Sequence, residues 1–335
     1  MIRSMNARAI RRAGLELSEL SLGCAQLGNL YRAVGDDEAR ATVDAAWELG
    51  IRYFDTAPHY GLGLSERRLG QALAGRPRSE LVVSTKVGRL LEPLAAPTGV
   101  DDGGFDVPAT HRRVWDFSRD GVLRSLESSL ERLGLDRVDI VYLHDPDDHW
   151  PEAIGTAYPA LEELRAQGVV SAIGAGMNQT AMLAAFARET DMDVLMLAGR
   201  YTLLDQTALD ELIPACEERG VGLVAAGVFN SGVLARARPR RGARYDYSVP
   251  PDDVLRRAER IDEICDRNGV ELPAAALAFP LAHPVVASVC VGARSPEQIE
   301  RNASLYRSGV PEAVWDELRA AGLLRPDAPT GTRAR

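Results

Sequence analysis

The sequence predicts a single-domain (β/α)₈ barrel. Three observations carry this reading. Eight short, continuously apolar runs recur along the 335 residues, helix-period segments lie between them, and no linker rich in Pro, Gly or Ser divides the chain. Continuous apolar runs, unlike alternating ones, belong to parallel strands covered on both faces. Regular strand–helix alternation builds a parallel sheet, and eight repeats over about 300 residues are enough to close it. An open doubly wound sheet is the rival arrangement, because it shares the same alternation.

In chain order, residues 1–18 read as a short cap, a hairpin across the barrel floor. The strand runs are Leu20 to Gln26, Tyr53 to Thr56, Leu81 to Lys86, Asp139 to His144, Ala172 to Gly176, Val194 to Gly199, Gly222 to Gly227 and Val286 to Gly292. Three intervening segments show clear helical periodicity. Residues 120–133 bring Val122, Leu123, Leu126, Leu130 and Leu133 to one face before Gly134 stops the helix. Residues 152–167 turn Leu161 and Leu164 inward and end at Gly168. Residues 208–219 turn Leu209, Leu212, Ile213 and Cys216 inward and end at Gly220. Asp120, Asn178 and Ser295 are the expected helix starts. The long loops 88–119, 145–151 and 228–250 each follow a strand, which on a barrel places them on the catalytic face. Residues 323–335 read as a loose tail.

Hydrophobic residues are 46% and charged residues 26%, which excludes disordered and fibrous chains. A net charge of −9 argues against a nucleic-acid partner held through phosphates. No apolar run approaches the roughly 18 residues of a membrane span. Arg3, Arg8, Arg11 and Arg12 precede no apolar stretch, so no signal peptide is read and a cytoplasmic protein is expected. Cys24, Cys216, Cys265 and Cys290 form no C-x-x-C pair and read as reduced, buried thiols. The N-x-[ST] triplets at Asn178 and Asn302 are chance matches without secretion. Gly220-Val221-Gly222-Leu223-Val224-Ala225 matches a dinucleotide fingerprint but precedes its strand instead of following one, so it is rejected.

The chemistry sits at the strand ends. The second strand runs into Asp55-Thr56-Ala57-Pro58-His59-Tyr60-Gly61, the third ends in Ser84-Thr85-Lys86 and the fourth in Leu143-His144-Asp145. Asp55 and Lys86 are too costly to bury singly and are expected to pair. A lysine beside Tyr60 favours the phenolate, so a lowered Tyr60 pKa is expected. His144 is placed to orient a substrate oxygen.

Phe54-Asp55-Thr56-Ala57-x-x-Tyr60-Gly61, Ser65-Glu66, Leu69-Gly70, Ser84-Thr85-Lys86 and Asp139-x-x-x-Leu143-His144 together resemble the aldo-keto reductase superfamily over nearly the whole chain. The resemblance implies a barrel using a nicotinamide cofactor, with Asp55, Tyr60, Lys86 and His144 as its catalytic tetrad. It also implies that Gly292, Ala293, Arg294, Gln298 and Asn302 bind the adenosine end, where Ser295 opens a helix able to hold a phosphate. Asn178 is implied to hold the nicotinamide amide. Gly227, Ser231, Gly232 and Leu234 are implied to form the pyrophosphate loop. Gly174-Ala175-Gly176-Met177-Asn178 departs from the usual family run, Ala198 replaces the usual glutamine, and the tyrosine that commonly stacks on nicotinamide has no match. No lysine stands near Gly292 and no arginine at Gln298, which favours NAD, while Arg294 leaves NADP open.

Tyr60-Gly61-Leu62-Gly63-Leu64-Ser65-Glu66-Arg67-Arg68-Leu69-Gly70, His144-Asp145-Pro146-Asp147 and Tyr245-Asp246-Tyr247 resemble the sugar and pyridoxal dehydrogenase branch of that family. This implies oxidation of a small molecule, either an aldose such as L-fucose at C1 to the lactone, or pyridoxal. The pocket is expected to use Phe105, His111, Trp115 and Phe117 from one loop. Asp147, Asp148, His149 and Trp150 come from another, because acidic groups beside aromatic faces suit a polyhydroxylated ring. Two readings from other classes are a metal-dependent barrel hydrolase, built on the run His144 to His149, and a nucleotide-binding subunit without catalysis. Against a metal site, Pro146 breaks the ligand spacing and only His59, His111 and His283 remain elsewhere. The oligomeric state stays open at this level.

Overall fold

The computed structural model describes residues 5–238, 245 and 248–331. Of the residues singled out above, Arg3, Asp246 and Tyr247 lie outside them.

Eight parallel strands, Leu20–Gly23, Tyr53–Asp55, Val82–Val87, Ile140–His144, Ala172–Met177, Val194–Ala198, Gly222–Ala226 and Val286–Gly292, form a closed barrel in chain order. The last strand pairs with the first, Gly292 opposite Gly23, so the open doubly wound sheet does not occur. Strand parity divides two cores. Tyr53, Val82, Ile140, Tyr142, Ala172, Val194, Met196, Val224 and Cys290 point into the barrel, where Ile10 and Leu17 of the floor hairpin close the bottom. Phe54, Val83, Val87, Val141 and Leu143 point outward to the helices. Asp55 follows Tyr53 by two residues, Lys86 follows Ser84, and His144 follows Tyr142. The same parity therefore turns all three ionisable residues inward at the C-terminal mouth.

The floor hairpin pairs Ala7–Ile10 with Leu15–Ser18, as the sequence suggested. Local details differ from expectation. Ser118, not Asp120, caps the helix Arg119–Leu133, accepting the Gly121 N–H at 3.0 Å. Asn178 caps nothing, because the following helix starts at Thr180 with Gln179 as its N-cap. Ser295 does precede its helix, Pro296–Ser308. The 88–119 segment carries an antiparallel hairpin, Arg89–Pro93 against His111–Trp115. The tail is not loose up to residue 331. Leu323, Leu324 and Ala328 are buried, and Arg257 donates to the Leu323 carbonyl at 2.6 Å while the Arg325 N–H donates to Gln206 Oε1 at 2.8 Å. All four cysteines are buried and unpaired. Among the described residues no helix is long and apolar enough to cross a membrane.

Candidate active site

Lys86 stands at the centre of the barrel mouth. Its Nζ donates to Asp55 Oδ2 at 2.6 Å, to the Thr56 carbonyl at 3.0 Å and to Tyr60 Oη at 3.1 Å. Three acceptors use all three ammonium protons. The second Asp55 oxygen accepts from Ser84 Oγ at 2.7 Å. Ser84 in turn lies 3.0 Å from the Tyr53 hydroxyl, which lies 3.1 Å from that of Tyr142. Because the carboxylate only accepts, the hydroxyl protons of Ser84, Tyr53 and Tyr142 all point toward Asp55.

The loop bearing Tyr60 is fixed by close backbone contact. Gly61 has φ 62°, and a Cβ there would lie 2.2 Å from the Gly28 carbonyl oxygen. Behind it, the helix Leu64–Leu73 is pinned by its first turn. Ser65 Oγ donates to the Cys24 carbonyl at 2.7 Å and Thr85 Oγ1 donates to Glu66 Oε1 at 2.8 Å, while Arg132 pairs with the other Glu66 oxygen at 2.6 Å. Ser65 and Glu66 of the sequence motif are thus structural supports. His144 faces Tyr60 edge-on at 5.9 Å between ring centroids, with His59 at 5.6 Å on its other side.

Burial alone would discharge Lys86, but Asp55 and Tyr60 outweigh it and hold the ammonium above its ordinary range. Burial, with Arg89 and Lys86 adding to it, keeps His144 neutral, its pKa well below the usual histidine value. His59 is pushed down to about 2 by burial and by Arg89. The lowered Tyr60 pKa expected from sequence is not found. Burial raises the phenol above its ordinary value, and the Lys86 ammonium offsets only part of that rise.

These residues form one end of a cleft of about 1300 Å³ that runs across the mouth to the helix Pro296–Ser308. Asp55, Tyr60, Lys86, His144, Asn178, Gly227, Ser231, Gly232, Gly292, Arg294, Gln298 and Asn302 all line it. Gln298 Oε1 accepts the Arg294 N–H at 2.9 Å, and the Arg294 guanidinium donates to the Leu30 carbonyl at 2.9 Å. Leu234 and Ala293 do not line the cleft; both are buried in the outer core.

The expected substrate loops behave differently. Phe105 lines the cleft. His111, Trp115, Phe117, Asp147, Asp148, His149 and Trp150 do not. Trp115, Phe117 and His149 pack on one another with centroids 5.1–5.9 Å apart, and Trp150 packs on Phe186 at 4.7 Å. Among the described residues no group of three or more His, Cys, Asp or Glu is placed to hold a metal ion. The run His144 to His149 does not converge, because only its first two residues reach the cleft.

Sequence reasoning missed Gln26, His59, Asp145, Arg236, Arg238 and Arg301 as cleft residues. Arg301 was legible, since it shares a helical face with Gln298 three residues earlier. The Gln26 contact was not: its side chain lies over Gly292, where a Cβ would come within 2.3 Å.

Comparison with known proteins agrees with this geometry. Residues 19–322 match the model of the aldo/keto reductase family. The chain is 52% identical over 316 residues to D-threo-aldose 1-dehydrogenase of a Pseudomonas species, covering 93% of this chain and 96% of the relative. It is 41% identical over 342 residues to pyridoxal 4-dehydrogenase of Microbacterium luteolum, covering 96% and 99% respectively. A solved aldo-keto reductase from Bacillus halodurans, in its holo form, superposes with a TM-score of 0.75 at 27% identity over 99% of both chains. The chain belongs to the aldo/keto reductase family and is an oxidoreductase of that nicotinamide-using type.

Proposed function

We propose that this chain is an NAD-dependent aldose 1-dehydrogenase of the cytoplasm that oxidises L-fucose or a related aldose at C1 to the lactone. The observation that carries the reading is the bonded chain Asp55–Lys86–Tyr60 at one end of a cleft of about 1300 Å³. The 52% identity to an aldose dehydrogenase supports the substrate class.

The residues present fit a nicotinamide dinucleotide. The cleft exceeds the roughly 300–1,000 Å³ of ordinary small-molecule pockets. Bare backbone at Gly227, Gly232 and Gly292 lines it, and the Arg294 Nε is buried there without a partner. Gln298, Arg294 and Asn302 would hold the adenosine end, Ser231 and Gly232 the pyrophosphate, and Asn178 the amide. A bound nicotinamide supplies the hydride acceptor. Tyr60, as phenolate beside Lys86, takes the proton of the C1 hydroxyl. Neutral His144 orients that oxygen, and Asp55 keeps Lys86 charged and directed at Tyr60.

NAD is preferred over NADP in this reading because two nearby cations are already engaged. Arg294 is bound to the Leu30 carbonyl, and Arg301 pairs with Glu271 at 2.5 Å. A 2′-phosphate without its own partner in a partly desolvated site is costly. The second reading, pyridoxal oxidation, is favoured by the 41% identical relative and by Phe105, whose ring in the cleft suits a pyridine face.

Initial rates of reduced-cofactor formation with L-fucose, D-arabinose, L-xylose and pyridoxal, each with NAD and with NADP, test both points. Aldose turnover with at least a tenfold NAD preference in kcat/KM is expected, equivalent to about 1.4 kcal/mol. Activity on pyridoxal alone moves the function to the second reading.

A further inference from the structure

We propose that Asp145 is a specificity-determining residue whose Oδ1 accepts a hydrogen bond from the substrate hydroxyl next to the reacting carbon. This rests on the cleft being the carbonyl–alcohol site described above, and it deepens that reading by naming the group that selects hydroxylated substrates.

Asp145 directly follows His144 at the end of the fourth barrel strand, with a left-handed backbone of φ 42°. Its N–H donates to the Gly176 carbonyl at 3.0 Å, which holds this turn against the fifth strand. A side chain in that region of backbone space is uncommon and strained. The strain turns the chain at the rim. Asp145 stays in the cleft, while Asp147 to Trp150 leave it.

Two carboxylates line the cleft among the described residues, Asp55 and Asp145. Both Asp55 oxygens are engaged inside the site, one by Lys86 and the other by Ser84. Asp145 is half committed. Its Oδ2 pairs with Arg89 and lies 3.6 Å from His144 Nε2. Its Oδ1 accepts no hydrogen bond from any described residue. The carboxylate thus stands next to His144, which faces Tyr60 at the barrel mouth, and its second oxygen is left for a hydroxyl of the substrate.

Arg89 holds the carboxylate in place and favours its charged form. The Arg89 guanidinium lies 4.3 Å over the Trp115 ring, which fixes the cation from behind. Burial raises the Asp145 pKa, and Arg89 opposes that rise. An ionised carboxylate accepts and does not donate, so it asks the substrate for an O–H. An aldehyde without that hydroxyl leaves the oxygen desolvated and unpaired, which is the arrangement that discriminates strongly between analogues.

The test compares glyceraldehyde with propanal, which share a three-carbon aldehyde skeleton and differ in the two hydroxyls, as substrates for NADH-dependent reduction. It uses the full chain and the variants Asp145→Asn and Asp145→Gly. Both replacements tolerate the left-handed backbone, so neither adds strain. Binding of NADH, followed by its fluorescence, checks that each variant still folds and holds cofactor. The ratio of kcat/KM for glyceraldehyde to that for propanal is expected to fall at least tenfold in Asp145→Gly. A smaller fall is expected in Asp145→Asn, which keeps a neutral acceptor. A ratio unchanged from the native protein in both variants overturns the proposal, whether or not absolute rates drop. If the native protein reduces glyceraldehyde but oxidises none of L-fucose, D-arabinose and L-xylose, the proposed sugar oxidation fails while this ratio still decides the role of Asp145.

Discussion

Replacing Tyr60 by Phe removes one oxygen and little else. The ring keeps its neighbours, with Phe105 at 6.0 Å and His144 at 5.9 Å between centroids. Lys86 loses one of three acceptors but retains Asp55 at 2.6 Å and the Thr56 carbonyl at 3.0 Å, so no buried charge is stranded. The stability cost is then that of one charge-assisted hydrogen bond, about 1.5–3 kcal/mol, and smaller where water reaches the exposed edge of the site. The catalytic cost is of another order. The proton acceptor is gone, and Asp55, buried and bonded to Lys86 and Ser84, does not replace it. Loss of general acid–base help lowers turnover by about 10²- to 10⁴-fold, or roughly 2.7–5.5 kcal/mol of barrier. The assay pairs initial-rate formation of NADH from L-fucose with a thermal melt and an NADH titration on the same preparation. At least a hundredfold loss of kcat with cofactor affinity retained is expected. Turnover above a tenth of the native value, from a folded variant that binds cofactor, would refute the assignment of Tyr60.

The raised Tyr60 pKa fixes the sign of the pH dependence. Oxidation needs the phenolate, so its kcat/KM should climb about tenfold per pH unit through the alkaline range, whereas reduction, which needs the phenol, should stay flat from neutrality to mildly alkaline pH. A plateau in the oxidation profile below pH about 8 would contradict this. Lys86→Met strands the Asp55 carboxylate in the barrel and should cost about 3–5 kcal/mol in chemical unfolding, while Asp55→Asn with Lys86→Met together should recover part of that loss. Equal stability of the single and double variants would show that the pair is not coupled. Gly61→Ala forces a Cβ to within 2.2 Å of the Gly28 carbonyl at a positive φ and should lower both the melting temperature and kcat, since it displaces the Tyr60 loop. An unchanged melt and kcat would mean that this loop yields freely.

The eight barrel strands were legible because a parallel strand buried on both faces is apolar throughout, and these short runs alternate with helix-period segments along the chain. Asp55, Lys86 and His144 stood out for the same reason. An ionisable residue closing an apolar run has to be paired, and strand parity then turns all three to the inside. The structure agrees with that placement because parity is a local property of the backbone. Features that depend on distant partners were not legible. The hairpin inside 88–119 is held by pairing between residues distant in sequence, from Pro93 opposite His111 to Arg89 opposite Trp115. The tail read as loose because its composition is polar, yet Leu323 and Leu324 are drawn into the core by partners at Gln206 and Arg257. The acidic cleft group was expected at Asp147 or Asp148, but the left-handed turn at Asp145, held by the Gly176 carbonyl of the next strand, carries those residues away. The sign of the Tyr60 shift likewise depends on how deeply the closed barrel desolvates the phenol. Spacing alone announces the lysine that lowers this pKa but says nothing of the burial that outweighs it.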